Sequence, residues 1–190
     1  ISGSGYTTRF ASKTFESGYV LYKDTDYDFE LEVPSYWMKE SKENSLIFSG
    51  PEGSNESQTA IIIQFVLSSA RGGIIESVGE LAQTYKEQVG SRAFVKTIND
   101  YGVIPADSAA EEGSVDYFDH ARFYMIYERE GNIYAQEVYV LENGGIFYVL
   151  MYTSPRDLYS ISEKYWMHAV ESFRITAPIT PATRATTSPH

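Results

Sequence analysis

The chain has 190 residues, of which 43% are hydrophobic and 15% aromatic, a composition that excludes an intrinsically disordered protein. Its formal net charge of −11 argues against a nucleic-acid partner, because a phosphate backbone repels such a surface. It has no cysteine, which excludes disulfides, thiolate metal sites and cysteine nucleophiles within these residues. No apolar run approaches the roughly 20 residues that span a bilayer, so no transmembrane segment is predicted.

The chain begins with a segment that carries little structural signal. Residues 1–17 are predicted to be a flexible linker, because Ile1 is followed by a run of serine and glycine. Such a start is typical of a cut end, which leaves room for a targeting segment or a membrane anchor trimmed from the precursor.

The first half of the chain alternates strand and turn signals. Residues 27–33 place apolar side chains at every second position, and Pro34 ends this strand because proline cannot donate to a ladder. Residues 59–67 are apolar on both faces, which predicts a strand that is covered on both sides. Further strands are predicted at residues 18–22, 45–49 and 94–103, the last as an irregular edge.

A helix is predicted midway along the chain. Ser77 and Glu80 form a capping box at its start, and Gly90 lies where a glycine stop is expected. One apolar stripe at helical spacing contains Val78, Leu81, Ala82, Tyr85 and Val89.

The second half is predicted to be a meander followed by a helix. Glycine and asparagine turns around residues 131–132 and 143–145 separate strands at 116–128, 133–141 and 146–153. A last helix begins at Ser154-Pro155 or at Ser160, and residues 177–190 are predicted to be a disordered tail. The fold class is therefore α+β, with an antiparallel sheet of about six strands flanked by helices. The predicted apolar stripe of the last helix comprises Leu158, Ile161, Tyr165, Trp166, Ala169, Val170 and Phe173.

The order of these motifs resembles the PsbP-like superfamily, over residues 19–175. The matching residues are Phe29, Leu31, Pro34, Trp37, Gly145, Tyr148 and Ser172-Phe173-Arg174. The superfamily includes the extrinsic photosystem II subunit PsbP, a Ran-binding nuclear-transport factor and bacterial periplasmic proteins or lipoproteins. The resemblance implies an α/β/α sandwich over residues 18–176. It also implies a non-enzymatic protein that docks on a larger assembly and, for a bacterial member, an extracytoplasmic location.

An acidic row precedes and enters the strand at 27–33. Asp24, Asp26, Asp28 and Glu30 are spaced two residues apart, so they are expected to share one strand face. Phe29 stands where an EF-hand needs glycine, which excludes that motif. A weaker calcium or manganese site, or a small-ligand site, is one interpretation of the row. A solvated face is the alternative, and no other cofactor is expected.

Two further sets of residues carry functional alternatives. Asp116 and His120 could orient an imidazole for acid–base chemistry, which gives a hydrolase hypothesis; a hydrogen-bonded structural histidine is the alternative. Tyr36 and Trp37 follow the strand at 27–33 and can fold back as a plug over the sheet edge; they are also the residues predicted to contact a protein partner. His168, at the border of the apolar stripe of the last helix, is expected to be a packing residue.

Overall fold

The computed structural model describes residues 18–179; the predicted linker at 1–17 and residues 180–190 of the predicted tail lie outside this part of the chain. Ten strands and two α-helices follow one another in it. The strands are β1 (Tyr19–Asp24), β2 (Phe29–Pro34), β3 (Met38–Lys42), β4 (Ser45–Ser49), β5 (Ala60–Leu67), β6 (Phe94–Ile104), β7 (His120–Arg129), β8 (Asn132–Asn143), β9 (Ile146–Pro155) and β10 (Arg174–Ile175). The helices are α1 (Val78–Arg92), between β5 and β6, and α2 (Arg156–Ser172), between β9 and β10.

The strands form two antiparallel sheets. The larger sheet has seven strands in the order β3-β4-β5-β9-β8-β7-β6, and the smaller has three in the order β1-β2-β10. The predicted α+β class with an antiparallel sheet is confirmed. The difference is that the strand at 27–33, β2, does not join the main sheet. Its backbone pairs with β1 and with the short β10 that follows α2.

The main sheet is covered on both faces, as the doubly apolar strands predict. Ile61 and Ile63 of β5 lie in a core cluster with α2 and the small sheet, on one face. Ile62 and Val66 pack on the opposite face in the cluster beneath α1. Because side chains alternate along a strand, an uninterrupted apolar run supplies both cores at once.

The two hairpins of the meander close with glycine-containing turns. The β7–β8 turn is made by Glu130 and Gly131, whose φ angles of 53° and 78° fit a type I′ turn. The turn therefore lies one residue earlier than predicted. Gly144 and Gly145, with φ of 60° and 83°, join β8 to β9 as predicted.

The start of α1 is confirmed and its end is not. The Ser77 hydroxyl accepts a hydrogen bond from the Glu80 backbone N–H at 3.1 Å, so the capping serine is where the sequence places it. Leu81 and Ala82 are the buried residues of α1. The predicted stop at Gly90 is wrong: the helix continues to Arg92.

The start and stripe of α2 also differ from the prediction. β9 runs to Pro155 and α2 follows at once, so Ser154 is a strand residue whose hydroxyl lies 3.0 Å from that of Thr59. Ile161 is 65% exposed, whereas Ser162 is buried and donates to the Leu158 carbonyl at 2.8 Å. A serine that satisfies its own hydroxyl within the helix can face the core, which apolar periodicity does not reveal.

Neither helix within residues 18–179 combines the length and the apolar content that crossing a membrane requires. Past the predicted domain boundary at 176, Ala177 and Ile179 still pack against the core cluster around α2.

Candidate functional site: the β6 edge and its arginine cluster

The main sheet ends in two strands of different character. At one end, β3 has five residues, and Lys39, Glu40 and Lys42 make it charged. At the other end, β6 has eleven residues, nine of which are exposed. The outer side of β6 has no neighbouring strand within residues 18–179, so its backbone groups on that side are available for pairing.

The side chains of β6 are unusually apolar for an exposed edge. Phe94 is 71% exposed, Ile98 44%, and Tyr101 and Val103 51% each. Charge on the strand is limited to Lys96, which pairs with Glu128 of β7, and Asp100. A long edge strand with apolar side chains is a template for adding another strand.

A bulge in β6 places Tyr101 over the sheet. The pairing with β7 shifts between Asp100 and Gly102, so Tyr101 is the extra residue. Gly102 has a φ of 67°, and its N–H donates to the Asp100 carboxylate at 2.9 Å. The same carboxylate pairs with Lys86 of α1, whose hydrogen bond lowers the pKa of Asp100. The bulge is thus fixed from two sides.

Arg122 of β7 lies between two tyrosine rings next to this bulge. Its guanidinium is 4.7 Å from the centre of the Tyr101 ring and 5.1 Å from that of Tyr139. Its Nε and Nη2 lie 2.8 and 2.6 Å from one carboxylate oxygen of Glu137. Burial disfavours the charged guanidinium, but the hydrogen bond to Glu137 and the electrostatic influence of Tyr139, Glu137 and Tyr101 together outweigh that effect, so the pKa of Arg122 is raised. The cation is therefore held rigidly, with its side chain 35% exposed.

Glu137 is the buried centre of this cluster. Its second oxygen accepts hydrogen bonds from Trp166 Nε1 at 2.8 Å and from the Tyr159 hydroxyl at 3.3 Å, both on α2. A buried carboxylate is tolerated when every oxygen has partners of this kind. Burial, and then the negative charge of Glu137, raise the pKa of the Tyr159 hydroxyl, so it stays a donor. We name the set Tyr101, Arg122, Glu137, Tyr139, Tyr159 and Trp166 the arginine cluster.

Arg122 and Glu137 are not among the predicted site residues, although the sequence carries a signal for them. Each is a charged residue inside an apolar strand of the meander. A type I′ turn at Glu130-Gly131 sets the register that pairs Arg122 with Tyr139 and Tyr124 with Glu137. Opposite charges two positions apart on the same face of neighbouring strands predict a diagonal ion pair.

The predicted acidic row is not a row in the structure. Of the four acids, only Glu30 lies in β2, because the chain turns over residues 25–28. Glu30 pairs with Lys23 at 2.9 Å. Asp24 holds that turn: one carboxylate oxygen accepts from the backbone N–H groups of Asp26 and Tyr27 at 3.0 and 2.8 Å. Asp28 adopts a positive φ of 51°.

These positions bear on the expected calcium or manganese site. Within residues 18–179, no three histidine or carboxylate side chains come together in a way that could hold a metal ion. A site at Asp24, Asp26, Asp28 and Glu30 remains a prediction.

The predicted partner-binding pair divides into a buried and an exposed residue. Trp37 is 0% exposed and lies in the core, so it has no surface to offer a partner in this conformation. Tyr36 is 39% exposed, and its hydroxyl lies 2.9 Å from both Glu56 and the Tyr165 hydroxyl. A partner contact at Tyr36 remains a prediction.

Asp116 and His120 do approach one another, as the hydrolase hypothesis requires. The distance from His120 Nε2 to the Asp116 carboxylate is 3.8 Å, and Nδ1 donates to the Phe118 carbonyl at 3.0 Å. His120 is only 2% exposed, however, so a substrate cannot reach the imidazole in this conformation. Asp116 is in a short 3-10 helix before β7, not in a strand.

His168 makes a polar contact in addition to the expected packing. Its Nε2 lies 2.5 Å from the Glu32 carboxylate of β2, and its ring stacks on Tyr19 of β1 at 3.8 Å between ring centres. The residue therefore fastens α2 to the small sheet.

No family model matches the chain, and no curated protein matches it. Solved structures do match. Cyanobacterial PsbP (CyanoP) from Synechocystis sp. PCC 6803 is 10% identical with a TM-score of 0.59, over 87% of this chain and 97% of that one. The fold is PsbP-like.

Two other solved structures with this PsbP-like arrangement are similar as well. The Saccharomyces cerevisiae Ran-binding protein Mog1p is 8% identical with a TM-score of 0.51, over 83% of this chain and 95% of that one. A Pseudomonas aeruginosa protein of unknown function is 13% identical with a TM-score of 0.51, over 80% and 94%. The resemblance stated from the sequence is thereby confirmed at the level of the fold.

Proposed function

We propose that this protein is a non-enzymatic, extracytoplasmic binding or assembly-accessory protein. It docks on a larger protein partner by adding an extended segment of that partner to β6. The observation that carries the proposal is the apolar edge of β6, which no strand of residues 18–179 pairs on its outer side, in a sheet whose other edge is short and charged.

Strand addition suits this edge for two reasons. Backbone hydrogen bonds supply affinity in such complexes, and β6 offers eleven residues of backbone. Pockets and apolar contacts for alternate side chains supply specificity, and Ile98 and Tyr101 provide exposed apolar surface. The net charge of −11 favours a segment whose flanking residues are basic.

The PsbP-like fold supports the non-catalytic part of the proposal. Mog1p is a Ran-binding protein, so one protein of this shape binds a protein partner. The extracytoplasmic location follows from the resemblance to bacterial members and is tested by cell fractionation of the full-length precursor.

The direct test uses random peptides displayed on phage and selected against the folded protein. Binding of the selected peptides is then measured to Ile98→Lys, which places a charge on the β6 edge, and to Ile161→Lys, a matched change at an exposed position on α2. We expect at least about tenfold weaker binding to the first variant and native binding to the second.

Peptides that bind Ile98→Lys as tightly as the native protein would contradict docking on β6. Peptides that instead lose binding in Tyr36→Ala would move the docking surface to the residue predicted from the sequence.

A further inference from the structure

Arg122 keeps hydrogen-bonding capacity that the fold does not use. An arginine side chain has five N–H donors. Two of them lie within hydrogen-bond distance of Glu137, and the other three have no hydrogen-bond partner among residues 18–179. The tyrosine rings on either side hold the planar group in place, so little conformational entropy remains to be lost when a ligand binds.

The residue of β6 opposite Arg122 is a glycine, so no side chain projects from that position. Gly102 of β6 is directly opposite Arg122 in the register. A Cβ atom placed at Gly102 would meet nothing within 4 Å. A strand added outside β6 would lie two strand spacings, roughly 10 Å, from β7. For a glutamate of that strand to reach the guanidinium, its side chain has to cross Gly102, because Tyr101, Tyr139 and Glu137 hold Arg122 in place.

From this geometry, and resting on the proposed function, we infer that Arg122 binds a carboxylate side chain of the segment added to β6, which reaches it across Gly102. A carboxylate matches the planar guanidinium fork, and a charge-assisted hydrogen bond of this kind is about twice as strong as a neutral one.

Peptides from the β6 selection test the inference. The most frequent acidic position in the selected set is changed from Glu to Gln, and binding is measured to the native protein and to Arg122→Lys, which keeps the charge and loses the planar fork. On the native protein, we expect the Gln peptide to bind about tenfold more weakly than the Glu peptide. On Arg122→Lys, the affinities of the two peptides are expected to differ by less than about twofold. Arg129→Lys, on the same strand and near Tyr134, is the matched control and is expected to behave as the native protein.

A second variant keeps the test independent of changes at Arg122. Gly102→Asn retains a residue type that tolerates positive φ and fills the opening, so it is expected to weaken the Glu peptide by about tenfold. Gly131→Asn, at a turn with φ of 78° and open space around it, is its control.

The outcomes separate the inference from the proposed function. Peptides that require Ile98 but show no acidic position, or that bind equally with Glu and Gln, overturn the carboxylate site and leave docking on β6 intact. Peptides that do not require Ile98 overturn both.

Discussion

The two edge strands of the main sheet differ in how far they disfavour pairing with another chain. β3 is short, and its lysines and glutamate disfavour pairing with another chain. β6 is more than twice as long, is exposed along most of its length and carries Phe94, Ile98, Tyr101 and Val103 at its surface. A sheet that protects one edge and leaves the other apolar has an edge suited to pairing.

The support behind the two edges differs as well. Behind β6, the bulge is fixed by Lys86 of α1 and the neighbouring strands by the buried Glu137. Behind β3, Lys39 donates to the Tyr22 hydroxyl of β1 at 3.0 Å, whereas the pair of Glu40 and Lys42 at 3.6 Å lies within β3 and is largely exposed. Rigid backing is what a binding edge needs, because ordering a loose strand on binding costs affinity.

The largest expected effect comes from removing that backing. Glu137→Ala leaves Arg122, Trp166 and Tyr159 without their shared acceptor, so we expect a loss of about 3–5 kcal/mol in the free energy of unfolding, measured by urea denaturation. The matched change on the other edge, Glu40→Ala, is expected to cost less than about 0.5 kcal/mol. Equal losses would show that the two edges do not differ in their support.

The next largest effect is a loss of stability at alkaline pH, which arises in β9 at the centre of the sheet. Burial raises the pKa of Tyr148 and of Tyr152 in β9 from the ordinary value of 10.0 to about 12. The folded state therefore prefers the neutral phenols. Their contribution to stability is fully present below pH 10 and is lost as the pH rises towards 12.

We expect the free energy of unfolding to fall over that interval, with tyrosinate absorbance rising in step. The double variant Tyr148→Phe and Tyr152→Phe should be less sensitive to alkaline pH. A native protein with constant stability up to pH 12 would contradict the assignment.

A smaller effect is expected at the turn between β1 and β2. Asp24→Ala removes an acceptor for two backbone N–H groups and should cost about 1–2 kcal/mol. Asp24→Asn keeps an acceptor oxygen and should be closer to the native protein. Melting temperatures with calcium and with manganese test the predicted metal site in the same variants. A rise in the native protein that Asp24→Asn lacks would support the metal site predicted from the acidic row.

The smallest effect on stability comes from exchanging the characters of the two edges. Ile98→Lys and Lys42→Ile both change exposed strand positions, so each should alter the free energy of unfolding by less than about 0.5 kcal/mol. Their effect on self-association at high concentration should differ in sign, with Ile98→Lys decreasing it and Lys42→Ile increasing it. Light scattering distinguishes the two, and a lower scattering from Lys42→Ile would contradict the comparison.

Much of the architecture could be predicted from local pattern. The doubly apolar strands β5 and β9, the Ser77 cap and the Gly144-Gly145 turn are local signals whose physical cause lies within a few residues. What failed depended on tertiary context. The strand around Phe29 was placed correctly in sequence, but nothing local shows that it pairs with β10 instead of the main sheet.

The candidate site was harder to predict, because its parts are distant in sequence. Tyr101, Arg122 and Trp166 meet only after the bulge, the hairpin register and the position of α2 are fixed. The acidic row failed as a geometric prediction for the opposite reason. The strand alternation at Glu30 does not continue back to Asp24, because aspartate favours turns and Asp24 holds one here.

Hydrogen exchange of the backbone amides, with and without a peptide selected against the protein, tests docking on β6 most directly. We predict slower exchange in Phe94–Ile104 on adding the peptide, with Met38–Lys42 of β3 unchanged. Protection confined to β3, or to a surface that leaves β6 exchanging at its free rate, would contradict the account.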